Sequence, residues 1–161
     1  MKKIFLVVLN LLIPLLLFTE EDKISGFNKL KDAIQMKQGE KVIVIFQQIG
    51  SCKKCYYIPT YAINCAFEKC KYQNGKYPGN VKVIAAVDCS REKELKLFTD
   101  QYSWKDYILR DNGKIKSELG LRTECYLAVV DYSGKVLYSV DDYETEQKEM
   151  CKSIYQSIKS P

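Results

Sequence analysis

Two short runs of β-branched and aliphatic residues constrain this chain most: Lys41 to Phe46 (KVIVIF) and Val81 to Val87 (VKVIAAV). Neither alternates apolar with polar residues, so each reads as a strand buried on both faces. Helical patterns separate and follow them. Ser25 to Met36 places Phe27, Leu30 and Ile34 on one face, and a stretch opening at Cys52 has Ile58, Ala62 and Cys65 as its expected inner face. Ser51 and Ser90 stand where helix caps belong, and the helix after Ser90 faces inward through Leu95, Phe98 and Tyr102. Tyr107 to Leu109 is a brief extended piece, and Lys114 to Leu119 a short helix ending at Gly120. Cys125 to Val130 and Lys135 to Val140 flank the turn Asp131-Tyr132-Ser133-Gly134, which predicts a hairpin. A last helix is expected from about Glu144 to Lys159, with Met150, Ile154 and Ile158 inward, and residues 71–80 (KYQNGKYPGN) read as a loop. Strands separated by helices pair in parallel and are covered on both faces. The expected fold is therefore α/β: a central mixed sheet of parallel strands plus a C-terminal antiparallel hairpin, flanked by helices.

The N-terminus is a separate object. Lys2 and Lys3 precede an apolar run from Ile4 to Phe18, which Thr19-Glu20-Glu21-Asp22 ends abruptly. A basic start, a short apolar middle and a polar exit are the layout of an export signal. The run falls short of the roughly 20 residues of a typical spanning helix, yet no small-x-small cleavage site follows. Residues 1–19 are thus read as a signal sequence or an N-terminal membrane anchor, with a buried core helix as the remaining alternative, and residues 20–161 as the folded domain. The signal and anchor readings both expect the domain to leave the cytoplasm, for a periplasmic or cell-surface location, secreted or tethered.

Composition narrows the chemistry. The chain has no histidine, which removes His-based metal ligation and the Cys-His and Ser-His catalytic pairs. The net charge of +5 is spread among interspersed lysines and acids, so the surface reads as solvated and no nucleic acid is expected as a partner. Seven cysteines in 161 residues are many, and an odd number leaves at least one thiol unpaired within the monomer.

Cys52-Lys53-Lys54-Cys55 is the pattern that carries chemistry. A CxxC alone fits a redox pair, an inert disulfide or half a metal site. Here it follows a buried strand and opens a helix. Unpaired N–H groups and the positive end of the helix dipole favour thiolate there, and Lys53 and Lys54 add to that. Thiolate is the attacking species in disulfide exchange, so Cys52 is the candidate nucleophile and Cys55, one turn on, the candidate resolving thiol.

The strand-CxxC-helix start is similar to the thioredoxin superfamily. The order Val87-Asp88, then Tyr107 to Gly113 (YILRDNG), Gly120-Leu121-Arg122 and Val130 to Val136 (VDYSGKV) resembles its TlpA-like, membrane-anchored thiol:disulfide oxidoreductases. The resemblance implies a thioredoxin-like three-layer sandwich, a dithiol enzyme without a cofactor, and as partners exported thiol or disulfide proteins and a redox partner. The chain departs from that pattern at Ser51, where an aromatic is usual, and at Pro59, one position early. Tyr56-Tyr57-Ile58 stands where some members carry a proton-managing glutamate. Cys125 aligns with the cis-proline that faces the CxxC. A cysteine there is expected after a trans peptide bond, since cis before a non-proline residue costs roughly 2.5–4 kcal/mol.

Cys125 and Cys89 are accessory candidates: both are expected at the edge where parallel strands end, where open α/β sheets gather ligands. Cys65 reads as core packing and Cys70 as unable to pair with it along a regular helix, while Cys151 has no assigned role. Two other readings of the chain stand beside the oxidoreductase. One is a thiolate metal-binding module using Cys52 and Cys55 with Cys125 or Cys89. The other is a noncatalytic redoxin-fold interaction domain held by disulfides. A peroxidatic Thr-x-x-Cys site is not expected, because the pattern needs threonine where Ile49 stands.

Overall fold

Lys41–Gln48 forms the central strand β1, buried from Lys41 through Gln47, as its two apolar faces demand. The computed structural model describes residues 26–50, 53–141 and 144–160, without the side chains of residues 53–55. The expected segment 1–19, the Ser51 cap and Cys52 lie outside the described residues. Around β1, in chain order, stand α1 (Gly26–Ala33), α2 (Lys53–Asn74), β2 (Val81–Asp88), α3 (Glu92–Tyr102), β3 (Tyr107–Asp111), α4 (Lys114–Glu118), β4 (Leu127–Asp131), β5 (Val136–Val140) and α5 (Gln147–Lys159). The sheet order is β3-β2-β1-β4-β5. β1, β2 and β3 run parallel, with Ile43 opposite Val83 and Ala85 opposite Ile108. β4 lies antiparallel to β1 and β5 to β4, so the expected mixed sheet with a terminal hairpin is what the chain forms.

Alternation along the strands builds two cores. Ile43, Ile45, Ala85, Val87, Leu127 and Val129 meet α2, α3 and α5 on one face. Val42, Val44, Phe46, Ile84, Ala86, Ala128 and Val130 meet α1 and α4 on the other. On the second face α1 and α4 approach closely: a Cβ on Gly26 would lie 3.0 Å from the Ile115 nitrogen. The same contact is capped electrostatically, because the Glu118 carboxylate accepts from the N–H groups of Gly26 (2.7 Å) and Phe27 (2.9 Å). A negative charge at a helix N-terminus meets both the unpaired donors and the dipole. The complementary device closes α5. The buried Lys41 ammonium donates to the carbonyls of Ser157 (3.0 Å) and Ile158 (3.1 Å), and to that of Ser160.

The helix ends differ from the sequence expectation in ways with local causes. α2 continues through residues 71–74, which composition assigned to a loop; the chain leaves the helix only at Gly75, with φ +74°. α3 begins at Glu92 and is capped from inside rather than by Ser90: the Glu94 carboxylate accepts from the N–H groups of Ser90 (2.9 Å) and Arg91 (3.0 Å). Of the expected inner face, Ala62 is buried, whereas Ile58 and Cys65 are only partly so; the buried stripe of α2 runs through Tyr56, Ala62, Ile63, Ala66 and Cys70. Counting by helical turns from Tyr56 gives this register. α5 does face inward through Met150, Ile154 and Ile158.

Candidate functional site

β1 ends at Gln48 and α2 is described from Lys53, so the CxxC segment joins the central strand to the longest helix among the described residues. Cys55 sits in the first turn of α2, and Cys52 is the residue before its first described position. The thiols of Cys52 and Cys55 and the ammonium groups of Lys53 and Lys54 lie outside the described atoms.

What holds this turn in place is the residue after the motif. Tyr56 is buried and stacks on Tyr102, with centroids 4.1 Å apart and planes at 27°. It meets Phe98 and Trp104 edge-on, each at 6.1 Å. Its hydroxyl donates to the Tyr102 carbonyl at 3.3 Å, and burial pushes the phenol pKa up. Trp104 is fixed in turn by its indole N–H, which donates to the Tyr107 carbonyl at 2.8 Å. An aromatic box from α3 and its C-terminal turn thus clamps the start of α2. Sequence reasoning treated Tyr56 only as a departure from the family pattern; a large aromatic directly behind the second cysteine was the available signal.

The carboxyl ends of β1, β2 and β3 open onto a cleft of about 540 Å3 lined by Gln47, Gln48, Asp88, Asp111, Lys116 and Cys125 among others. Lys116 reaches across it: its ammonium lies 5.0 Å from the centre of the Phe46 ring and donates to the Thr123 carbonyl at 2.6 Å. Burial lowers the Lys116 pKa, against the opposing pull of Cys125, Asp111 and Asp88. Asp111 is buried, which raises its pKa, and its carboxylate accepts from the Ile115 N–H at 3.3 Å at the start of α4.

Cys125 lies at this edge as a sealed thiol. Its exposure is 2%, and it packs in the α1/α4 layer with Phe46 and Ala128, the face of the sheet opposite α2. The sulfur donates to the Leu127 carbonyl at 3.3 Å, and burial raises the thiol pKa. No peptide bond among the described residues is cis, so the bond before Cys125 is trans, as the residue type requires. The separation of its sulfur from that of Cys52 falls outside the described residues. Cys89, just past β2, is half-buried and unpaired, and packs toward the α2 layer. The structure therefore brings Cys89 and Cys125 to one sheet edge but directs them into opposite layers.

Cys65 corrects the sequence reading most plainly. It is not a core filler but bonded to Cys151, with Cα atoms 5.8 Å apart, which ties α2 to α5. Cys70 is a buried free thiol. Among the described residues no group of three or more cysteine or carboxylate side chains is placed to hold a metal ion. Nor is any described helix long and apolar enough to cross a membrane.

No family model matches the sequence, and no curated protein matches it. The fold does find counterparts among solved structures. A protein described as thiol:disulfide interchange protein DsbE, from Chlorobium tepidum, superposes with a TM-score of 0.53 at 15% identity, over 80% of this chain and 84% of that one. The fold is thioredoxin-like. A thioredoxin-like fold of the same kind is shared with a protein described as a thioredoxin, from Neisseria meningitidis, at TM-score 0.51 and 18% identity, over 74% and 75% of the two chains. StoA from Bacillus subtilis gives 0.50 at 13% identity, over 73% of this chain and 84% of its own. At these identities the likeness is one of fold.

Proposed function

We propose that this chain is an extracytoplasmic thiol:disulfide oxidoreductase that exchanges disulfides with exported proteins through Cys52 and Cys55. The observation that carries the reading is the position of the CxxC: between the end of the central strand and the first turn of α2, in a thioredoxin-like fold. Helix-start N–H groups and the flanking lysines favour the thiolate there. In the reductive direction the Cys52 thiolate attacks a client disulfide, forming a mixed disulfide and expelling one client thiolate, which takes up a proton. The Cys55 thiol gives up its proton and attacks the Cys52 sulfur; the second client thiolate leaves and a Cys52–Cys55 disulfide remains. The client gains two electrons and the protein loses them. A redox partner restores the dithiol, and reversing every step oxidises a client instead.

Two observations support the location. Residues 1–19 have the layout of an export segment. The Cys65–Cys151 bond suits an oxidising compartment. The Chlorobium tepidum counterpart is described as a thiol:disulfide interchange protein, which agrees with the chemistry proposed for the motif.

The test is kinetic and covalent. Reduced protein should cleave insulin disulfides, Cys52→Ala should abolish this, and Cys52 should alkylate faster than Cys55 at neutral pH. Cys55→Ser should accumulate client proteins on Cys52 as mixed disulfides. Unchanged insulin reduction in Cys52→Ala, or faster alkylation of Cys55, would refute the mechanism.

A further inference from the structure

Beyond the motif, α2 carries a line of aromatic side chains in water. Tyr57 and Tyr61 are 57% and 60% exposed. Their four-residue spacing puts them on one helical face, and the same face continues through Asn64, Cys65, Glu68 and Tyr72. From Tyr61 onward this face, Cys65 included, forms one wall of a groove of about 850 Å3, with Lys152, Tyr155 and Gln156 of α5 as the other wall. At 1.5 Å per residue, Tyr61 stands only about 9 Å along the helix from Cys55. The groove thus starts beside the proposed exchange centre and runs away from it.

Charge and rigidity define what fits. Lys69 stands one turn beyond Cys65, and Lys152 follows Cys151, so two ammonium groups flank the cystine against the single carboxylate of Glu68. The walls are held at fixed spacing by the Cys65–Cys151 bond, and the Tyr155 hydroxyl is bonded to Gln73 across the groove. A prearranged surface of tyrosine with a cationic border suits a strand-like ligand that offers apolar side chains to the rings and carboxylates to the lysines.

We propose that the groove between α2 and α5 docks an extended segment of the client polypeptide, aromatic or aliphatic and acidic in character, while its disulfide is engaged at Cys52. This names the substrate class for the exchange reading and rests on it. Binding along α2 orients the client, so the groove lowers the KM for polypeptide disulfides and is indifferent to small ones.

The experiment separates docking from exchange. Binding is read by fluorescence anisotropy on the disulfide-intact chain, with a fluorescein-labelled, cysteine-free peptide in which leucine and tryptophan alternate with aspartate. Exchange is read on insulin and on cystamine. Tyr61→Ser combined with Lys152→Glu, both on exposed positions, should weaken peptide binding by about tenfold, the loss typical of removing a principal aromatic anchor. The same variant should raise the KM for insulin and leave cystamine reduction unchanged. Equal peptide affinity in wild type and variant would overturn the proposal. So would equal affinity for a peptide with lysine in place of aspartate, displacement of the peptide by a neutral oligosaccharide, or dimerisation of the free chain that the variant abolishes. Peptide binding with no reduction of any disulfide would refute the exchange reading and leave the docking site standing. Insulin reduction at wild-type KM by the variant would do the reverse.

Discussion

Cys125, shut away from water and donating its proton to the Leu127 carbonyl, has little reason to ionise, and Cys70 shares its burial. Burial raises both thiol pKa values above the ordinary 9.0. The sign follows from linkage. Below pH 9 both thiols are protonated whether the chain is folded or not, and their contribution to stability is complete. Above it the unfolded chain releases protons that the folded chain keeps, so stability falls as pH rises toward the folded values. Wild type should therefore lose up to about 1.4 kcal/mol per pH unit more than Cys125→Ala above pH 9, as measured by urea titration. In folded protein at pH 8, Cys125 should also resist alkylation; rapid labelling would contradict the sealed state. The side on which Cys125 faces was not legible in the sequence. Tyr126 and Leu127 both enter the α2-side core, so alternation breaks just before β4 and sends Cys125 to the opposite layer. A period-2 reading from Leu127 and Val129 puts it on the wrong side.

Between elements, the Cys65–Cys151 bond stands out because it joins positions 86 residues apart. Closing a loop that long in the unfolded chain removes much of its entropy, and losing the bond is expected to cost roughly 2–5 kcal/mol. Cys65→Ser and Cys151→Ser should each lower the urea midpoint by a corresponding amount. With Cys52 and Cys55 both replaced by alanine, reductant should lower the midpoint of the otherwise unchanged chain to that of the corresponding Cys65→Ser chain and leave the latter unmoved. A reductant-insensitive midpoint in the first of these chains would show that the bond does not form in solution. The strands were readable because burial on both faces demands the unbroken runs at Lys41 and Val81, and the hairpin because its turn residues are local. The bond was not, since seven cysteines allow many pairings and nothing near Cys65 in sequence points to Cys151. The CxxC was legible as a motif. The aromatic box behind it was not, because Trp104 and Tyr102 reach Tyr56 only through the packing of α3 on α2.

For the molecule as a whole, the proposed location makes a direct prediction. An alkaline phosphatase reporter fused after residue 30 should be active when the N-terminal segment is intact and inactive when Lys2 to Phe18 is deleted. Activity of a cytoplasm-dependent reporter at the same junction would place the domain on the other side. The crosslink between α2 and α5 also fixes an order of events. Once Cys65 and Cys151 are joined, the chain between them is a closed ring holding β2 through β5. A ring cannot be threaded through a narrow channel as a single strand. Any passage that draws the chain through end to end must therefore be finished before those two sulfurs meet. From then on, a tug on the two ends can pay out only the segments outside residues 65–151, and a cut anywhere within the ring leaves two pieces that still travel as one.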